Sequence, residues 1–168
     1  LFTQKVRNAS NLKQILHSHF AIPVEIDQFV GQWEDLIDDV RTRLPDKMNP
    51  AGCNACLGRT VMLGKKGWFA QGKISIILGP LDTQQLTRFA PGTRALKALN
   101  ELVRLYVGME NDYEFIIRIR KCDIPDKIQL KRKNPPIIGW NTWLSSKPAV
   151  KSDTTKTVDI SVSASRLN

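Results

Sequence analysis

The stretch TRALKALNELVRLYVGMENDYEFIIRIR, residues 93–120, carries the two clearest secondary-structure patterns in the sequence. Its first part repeats leucine, valine and tyrosine at helical spacing between Leu96 and Tyr106. Thr93 precedes this repeat and Gly108 follows it, and these residue types favour the start and the end of a helix. The second part, DYEFIIRIR, alternates apolar and polar residues, as a strand with one buried face does. The stretch therefore predicts a helix that leads into a strand.

A weaker version of the same pattern lies near the start of the sequence. Ser10 is the predicted N-cap of a helix that runs to Phe20, and VEIDQFV after Pro23 alternates like a strand. The buried face of this helix is predicted to hold Leu12, Ile15, Leu16 and His19. Two such helix–strand units with further strands predict an α+β fold. We expect a mixed, mostly antiparallel sheet with helices packed on it and protruding loops.

The segment between the two units predicts one more strand and a short helix. WFAQGKISIIL, residues 68–78, places alternate apolar residues on one face, and Gly79 with Pro80 is predicted to end that strand. Asp82 is a candidate cap for a short helix that reaches Phe89.

Length and composition fit one folded domain followed by a polar tail. The chain has 168 residues, of which 42% are hydrophobic, so it is long enough to build a core. We predict the domain over residues 1–144 and the tail over 145–168, with an edge strand at 157–163. Apolar runs stay well below the ~18 residues that a membrane span needs.

The charge balance points to an acidic or anionic partner. Twenty-five basic and 16 acidic residues give a net charge of +9, which suits nucleic acid, a phospholipid surface or an acidic protein neighbour in a complex. Three cysteines are an odd number and too few for a disulfide scaffold, which favours a reducing, cytoplasmic compartment.

The motifs that suggest chemistry lack the residues that the chemistry requires. Cys53 and Cys56 form a C-x-x-C pair, but a zinc site needs four ligands, and the remaining cysteine and two histidines are not at the usual spacing. Five residues lie between Gly58 and Gly64, where a nucleotide-binding loop has four, and Lys66 stands where that loop needs a hydroxyl. We therefore expect no metal, no cofactor, no small-molecule substrate and no enzymatic activity.

A basic, single-stranded nucleic-acid-binding domain is the alternative that the residues leave open. The basic run 118–133 lies close to Trp140 and Trp143, and basic grooves with aromatic side chains bind single strands. Exposed tryptophans serve protein interfaces at least as often.

Five segments taken together resemble a known family. LKQILHSHFAIPVEIDQFVGQW, LGRTVMLGKKGW, KISIILGPLDTQQLTRFAPG, LNELVRLYVGMENDYEFIIRI and IGWNTWL occur in this order over roughly residues 10–144. The series resembles the C-terminal half of the TssG (ImpH/VasB) family, a baseplate subunit of the bacterial type VI secretion system. Family members are about twice as long, and the C-x-x-C pair and the double lysine are not part of their pattern.

The resemblance implies a structural role in protein assembly. TssG-like proteins join two TssF copies and TssE into a wedge and dock TssK, which links the baseplate to the membrane complex. The implied location is therefore the cytoplasm, at the inner membrane, with membrane contact only through TssK and nucleic acid unlikely as a partner.

The resemblance also suggests where partners bind. TssK docks on loops that project from the TssG body, and LDTQQLTRFA between two glycine–proline corners is predicted to be such a loop. The predicted partner-binding residues are Leu81, Leu86, Phe89, Pro91, Trp140 and Trp143. VDISV in the tail could add a strand to a neighbour's sheet.

Overall fold

The structure, a computed structural model, describes residues 8–124, 137–142 and 156–163. It divides into two compact units. We call Leu1–Gln28 with Lys73–Asn168 the body, and Phe29–Gly72 the inserted unit. The predicted boundary near residue 144 falls outside the described residues and stays a prediction.

The described residues form three α-helices, six strands and one short 3-10 helix. In chain order these are α1 (Ala9–Phe20), β1 (Val24–Asp27), β2 (Gln32–Asp35), β3 (Lys66–Phe69), β4 (Lys73–Leu81), α2 (Thr83–Arg88), α3 (Arg94–Val107), β5 (Asp112–Arg120), the 3-10 helix Lys121–Asp123, and β6 (Thr157–Ser163). Strands β2 and β3 belong to the inserted unit, and the other elements belong to the body. No helix in these described stretches is both long and apolar enough to cross a membrane.

The body contains a four-stranded sheet in the order β1-β4-β5-β6. β4 and β5 run parallel, and the two outer pairs are antiparallel. Parallel neighbours need a crossover connection, which is usually helical, and α3 lies in this connection. The predicted α+β fold with a mixed, mostly antiparallel sheet is confirmed.

The predicted helix–strand stretch forms α3 and β5. The Thr93 hydroxyl accepts a hydrogen bond from the Leu96 N–H, and Gly108 follows the last helical residue. α3 buries Leu96, Leu99, Asn100, Val103 and Tyr106. The Tyr113 hydroxyl on β5 donates to Asn100 Oδ1 at 2.8 Å, so this buried amide oxygen is paired.

The first helix differs from the prediction in its start and its face. Asn8, not Ser10, is the N-cap, and its Oδ1 accepts from the Asn11 N–H at 2.9 Å. His19 is exposed, because Phe20 occupies the next position of the buried face at helical spacing from Leu16. The residues that this helix buries are Leu12, Ile15, Leu16 and Phe20.

The predicted strand at 68–78 is wrong in both of its limits. The segment is divided between β3 and β4, which lie in different units. Gly79 and Pro80 do not end β4, which continues to Leu81 with a register shift after Leu78. A bulge lets the strand accommodate these residues without ending its pairing with β5.

A cluster of polar side chains joins β4 to β5. Lys73 Nζ lies 2.7 Å from Glu114 Oε2, and the Ser75 hydroxyl donates to Glu114 Oε1 at 2.6 Å. Burial alone would raise the pKa of Glu114, but the hydrogen bonds from Lys73 and Ser75 and the Lys73 charge lower it below its ordinary value. The ionised form of Glu114 therefore stabilises the folded state.

Replacing Glu114 by glutamine is expected to lower the free energy of unfolding at neutral pH but not at acid pH. The folded-state pKa of Glu114 is lowered, so its ionised carboxylate stabilises the folded state fully at pH values above the ordinary pKa of 4.5. This stabilisation is lost as the pH falls through the folded-state pKa. We expect a loss of less than about 1 kcal/mol at pH 7, because water still screens this pair. Urea unfolding at neutral and strongly acid pH measures it, with the exposed Glu110→Gln as control. An equal loss of unfolding free energy at both pH values would contradict the conclusion that the ionised Glu114 side chain stabilises the fold.

Candidate partner-binding surface

Three of the predicted partner-binding residues are buried in the body. Leu81 and Phe89 are 0% exposed and Leu86 is 6% exposed. The Phe89 ring packs edge-on against Phe20, with 5.7 Å between the ring centroids. The prediction that these side chains protrude is therefore wrong, because they fill the core of the protein itself.

Hydrogen bonds hold this segment against the end of β5. The predicted start of a short helix at Asp82 is confirmed, and Asp82 forms a capping box with Gln85. The Thr83 hydroxyl donates to the Asp123 carbonyl at 2.9 Å, and Arg120 pairs with both Asp82 and Asp123. The segment is thus a packed element of the body.

The other predicted residues do not form a shared surface among the described residues. Trp140 is 3% exposed and belongs to the core of the body, whereas Pro91 is exposed. Trp143 lies outside the described residues. Their roles in binding stay predictions.

The described part of the basic run does not resemble a nucleic-acid groove. Arg118 forms a bidentate ion pair with Asp159, with N–O distances of 2.9 and 3.1 Å. Arg120 is paired with Asp82 and Asp123. Arg118 and Arg120 already have acidic partners and Trp140 is buried, so these three side chains are not free to receive a nucleic-acid strand, whereas Lys121 is exposed. The rest of the run, 125–133, lies outside the described residues.

The inserted unit exposes most of the large apolar side chains that the described residues leave on the surface. Eleven of fourteen such side chains lie within it. They are Phe29, Trp33, Ile37, Val40, Leu44, Met48, Leu57, Met62, Leu63, Trp68 and Phe69. Soluble proteins rarely expose so many large apolar groups in one region unless that region binds a partner.

Two tryptophans lie opposite each other on the small sheet of the inserted unit. β2 and β3 are antiparallel, and Trp33 pairs with Trp68 across them, with 5.5 Å between ring centroids. A Cβ at Gly31 would overlap the Trp68 ring, so the absence of a side chain there makes room for the indole. Trp33 is 63% and Trp68 is 58% exposed, which leaves much of both rings available for contact.

The loop between β2 and β3 is held by its own polar contacts. Arg43 and Cys53 exchange backbone hydrogen bonds of 2.9 and 3.0 Å. The Asn54 side chain donates to the Asp39 carbonyl at 2.6 Å, and the Thr42 hydroxyl accepts from the Met62 N–H at 2.8 Å. We call residues 44–65 of this loop the apolar loop. Its exposed aliphatic side chains, at 80–95% exposure, are Leu44, Met48, Leu57 and Leu63.

The apolar loop also carries unbalanced positive charge. It contains Lys47, Arg59 and Lys65 against Asp46, which is three minus one, or +2. Asp38, between β2 and this loop, is already paired with Arg41 and Arg43 at 3.0 and 3.3 Å. A partner that offers apolar pockets with acidic residues around them would complement this loop.

The C-x-x-C pair lies in the same loop. Both thiols are free, and Asn49 Nδ2 lies 2.8 Å from Cys53 Sγ. Within the described part of the chain there is no group of three or more histidine, cysteine, aspartate or glutamate side chains placed to hold a metal ion.

Comparison with known proteins identifies the family. The family model for TssG of type VI secretion matches residues 1–145. A search of curated proteins found no match. In the cryo-electron-microscopy structure of the type VI secretion system TssK-TssF-TssG baseplate subcomplex, one chain has a similar fold, with a TM-score of 0.68 and 14% sequence identity. The match covers 95% of this chain and 63% of that one.

A second solved structure, the baseplate complex from the type VI secretion system, gives a TM-score of 0.51 at 14% identity. This match covers 96% of this chain and 42% of the matched one, so the present chain spans less than two thirds of either. Since the family model matches most of its residues, the chain belongs to the TssG family of type VI secretion.

Proposed function

We propose that this protein is a structural subunit of the type VI secretion baseplate that assembles with TssF and TssK. Its family membership supports this, and a solved structure with a similar fold is described as a complex of TssK, TssF and TssG. Participation of TssE, two TssF copies and a position at the cytoplasmic face of the inner membrane are part of the same proposal. They rest on the resemblance of the sequence to the family.

The observation that carries the proposal is the apolar surface of the inserted unit. We assign the docking of TssK to this unit, in place of the buried segment around Phe89. The polar contacts around Thr42 and Asn54 fix the loop before binding, so little conformational entropy is lost when a partner covers it. Exposed leucine and methionine side chains on a fixed loop can each enter an apolar pocket, and the lysines and arginine favour an acidic rim.

The proposed role is non-enzymatic. Four described groups on the sheet have clearly shifted pKa values. Glu114 and Arg118 lie in ion pairs between neighbouring strands, and Arg120 pairs with Asp82 and Asp123. Burial raises the pKa of Tyr113, whose hydroxyl donates to Asn100. Such ion pairs and burial account for the shifts without a catalytic role.

Replacing Leu44, Met48, Leu57 and Leu63 together by serine is expected to weaken TssK binding at least about 100-fold, because several apolar anchors are removed at once. The fold should be unchanged, because these side chains are almost fully exposed. Biolayer interferometry with purified TssK measures the affinity, and circular dichroism with thermal unfolding checks the fold.

The matched control replaces Leu105 and Met109, which are exposed apolar residues of the body at 66% and 91%, by serine. We expect this variant to bind TssK normally. If the control loses binding and the loop variant does not, docking takes place on the body. If the unmodified protein binds neither TssK nor TssF, the baseplate proposal itself is contradicted.

A further inference from the structure

The outward side of α3 carries cations along its length. The buried residues of this helix occupy one side, and the exposed ones lie within about a third of its circumference on the other. We call these exposed residues the α3 face. They are Arg94, Lys97, Ala98, Glu101, Arg104 and Leu105. Three cations against one carboxylate give the α3 face a charge of three minus one, or +2.

The cations of the α3 face have no ion pair with any residue that the structure describes. The ion pairs of the body instead join neighbouring strands of the sheet, or join the end of β5 to the residues around it. They are Lys73–Glu114, Arg118–Glu25, Arg118–Asp159, Arg120–Asp82 and Arg120–Asp123. The α3 face therefore keeps its positive charge for a partner outside the chain.

Two of these cations lie where they do not stabilise the helix. The partial charge at a helix N-terminus is positive, so carboxylates are favourable in the first turn and cations are unfavourable. α3 has no acidic residue in its first turn, and Arg94 and Lys97 are its first and fourth residues. They are also three positions apart, which makes two like charges neighbours on the helix surface. A residue choice that disfavours the local structure is expected where the residues serve a function.

We infer that the α3 face docks on an acidic surface of a protein partner, where Arg94, Lys97 and Arg104 each meet a carboxylate. The docking rests on the proposed function: TssK is assigned there to the inserted unit, and we assign the α3 face to TssF. Arg94 and Arg104 are ten residues apart, or about 15 Å along the helix axis, so the face can contact about three turns of a partner helix.

The residues of the α3 face favour a protein over a nucleic-acid strand. Glu101 is four residues from Lys97 and three from Arg104, so its carboxylate lies between these cations and would repel a phosphate backbone. No residue of the face is aromatic, so a base has no ring there on which to stack. Leu105 is 66% exposed, which suits an apolar contact beside the charged ones.

Arg94→Glu with Lys97→Glu is expected to weaken binding to purified TssF at least about 10-fold, because two attractive charge contacts become repulsive. The same change puts carboxylates in the first turn of α3, so the thermal midpoint of unfolding should stay the same or rise. Loss of a merely structural role would lower the midpoint instead. Biolayer interferometry at about 50 and about 300 mM salt measures the affinity, and the unmodified protein should lose more affinity with salt than the variant does.

Lys13→Glu with Lys121→Glu is the matched control, because it changes the net charge equally at exposed positions of the body outside the α3 face. We expect this variant to bind TssF normally. Arg94→Lys with Lys97→Arg keeps both charges and should also bind normally. If the double glutamate variant does not fold, Arg104→Gln tests the same face with a single neutral substitution, and it should weaken TssF binding at least about 3-fold.

A folded variant of the α3 face that binds TssF as the unmodified protein does would overturn the proposal, and so would an equal loss in the matched control. Binding of short single-stranded oligothymidine that the glutamate variant loses, while TssF binding persists, would show that the face takes nucleic acid instead. All of these variants should bind TssK normally. An unmodified protein that binds TssK but not TssF would overturn this inference alone, whereas one that binds neither would contradict the proposed function.

Discussion

Replacing Leu81 and Phe89 together by aspartate is expected to unfold the body. Both side chains are 0% exposed, and both belong to the core cluster between the sheet and the helices. Truncating a buried leucine costs about 2–5 kcal/mol and a buried phenylalanine about 3–5 kcal/mol. A carboxylate adds the cost of burying a charge, so the sum matches or exceeds the about 5–15 kcal/mol that stabilises an ordinary domain.

Far-ultraviolet circular dichroism and urea unfolding measure this effect. We expect the double variant to lose its cooperative transition and to become sensitive to proteases at room temperature. Leu105→Asp with Met109→Asp is the control, because both side chains are exposed and their replacement should change stability by less than about 1 kcal/mol. A folded Leu81→Asp, Phe89→Asp variant that has only lost partner binding would restore the interpretation of this segment as a docking loop.

Where a local pattern decides the structure, the sequence was sufficient to predict it. α3 and β5 follow from helical spacing and strand alternation, and the Thr93, Asp82 and Gly108 boundaries follow from the residue types that favour helix ends. The mixed α+β architecture follows from the order of these elements. The shift of the α1 N-cap from Ser10 to Asn8 is a small error, because both residue types are good caps.

Where contacts between distant residues decide the structure, local patterns misled. Leu81 and Phe89 between glycine–proline corners fit a protruding tip as well as a core segment. Only the packing of Phe89 on Phe20, which is distant in sequence, distinguishes the two. Likewise, the residues 68–78 look like one strand, although Trp68 pairs with Trp33 and Leu78 pairs with Val24.

The candidate binding surface had a weaker signal in the sequence. Leu44, Met48, Leu57 and Leu63 lie in a segment with prolines and glycines and follow neither helical nor strand spacing. Large apolar residues that recur at no regular spacing, beside unpaired lysines, are compatible with an exposed surface. They form no motif as recognisable as the C-x-x-C pair in the same segment. Their exposure becomes evident only with the hydrogen bonds that hold the loop.

Replacing Gly79 by alanine is expected to cost about 2–6 kcal/mol of unfolding free energy, combining a strained backbone with a steric clash. Gly79 has φ +130°, a conformation that residues with a side chain rarely adopt. An added Cβ would also overlap the Arg118 carbonyl oxygen on β5 and lie 2.9 Å from the Leu81 nitrogen. Both neighbours are backbone atoms, so β4 and β5 would have to separate at the point where the register shifts.

Gly92→Ala is the matched control for this effect. Gly92 also has a positive φ, +85°, but an added Cβ there meets no atom within 4 Å. Gly92→Ala should therefore lower the unfolding free energy only through backbone strain, by about 1 kcal/mol. Urea unfolding of the two variants separates the contributions, because their difference reports the clash with β5. Equal losses in the two variants would show that the contact between Gly79 and Arg118 does not constrain the sheet, and that β4 can carry a side chain at this bulge.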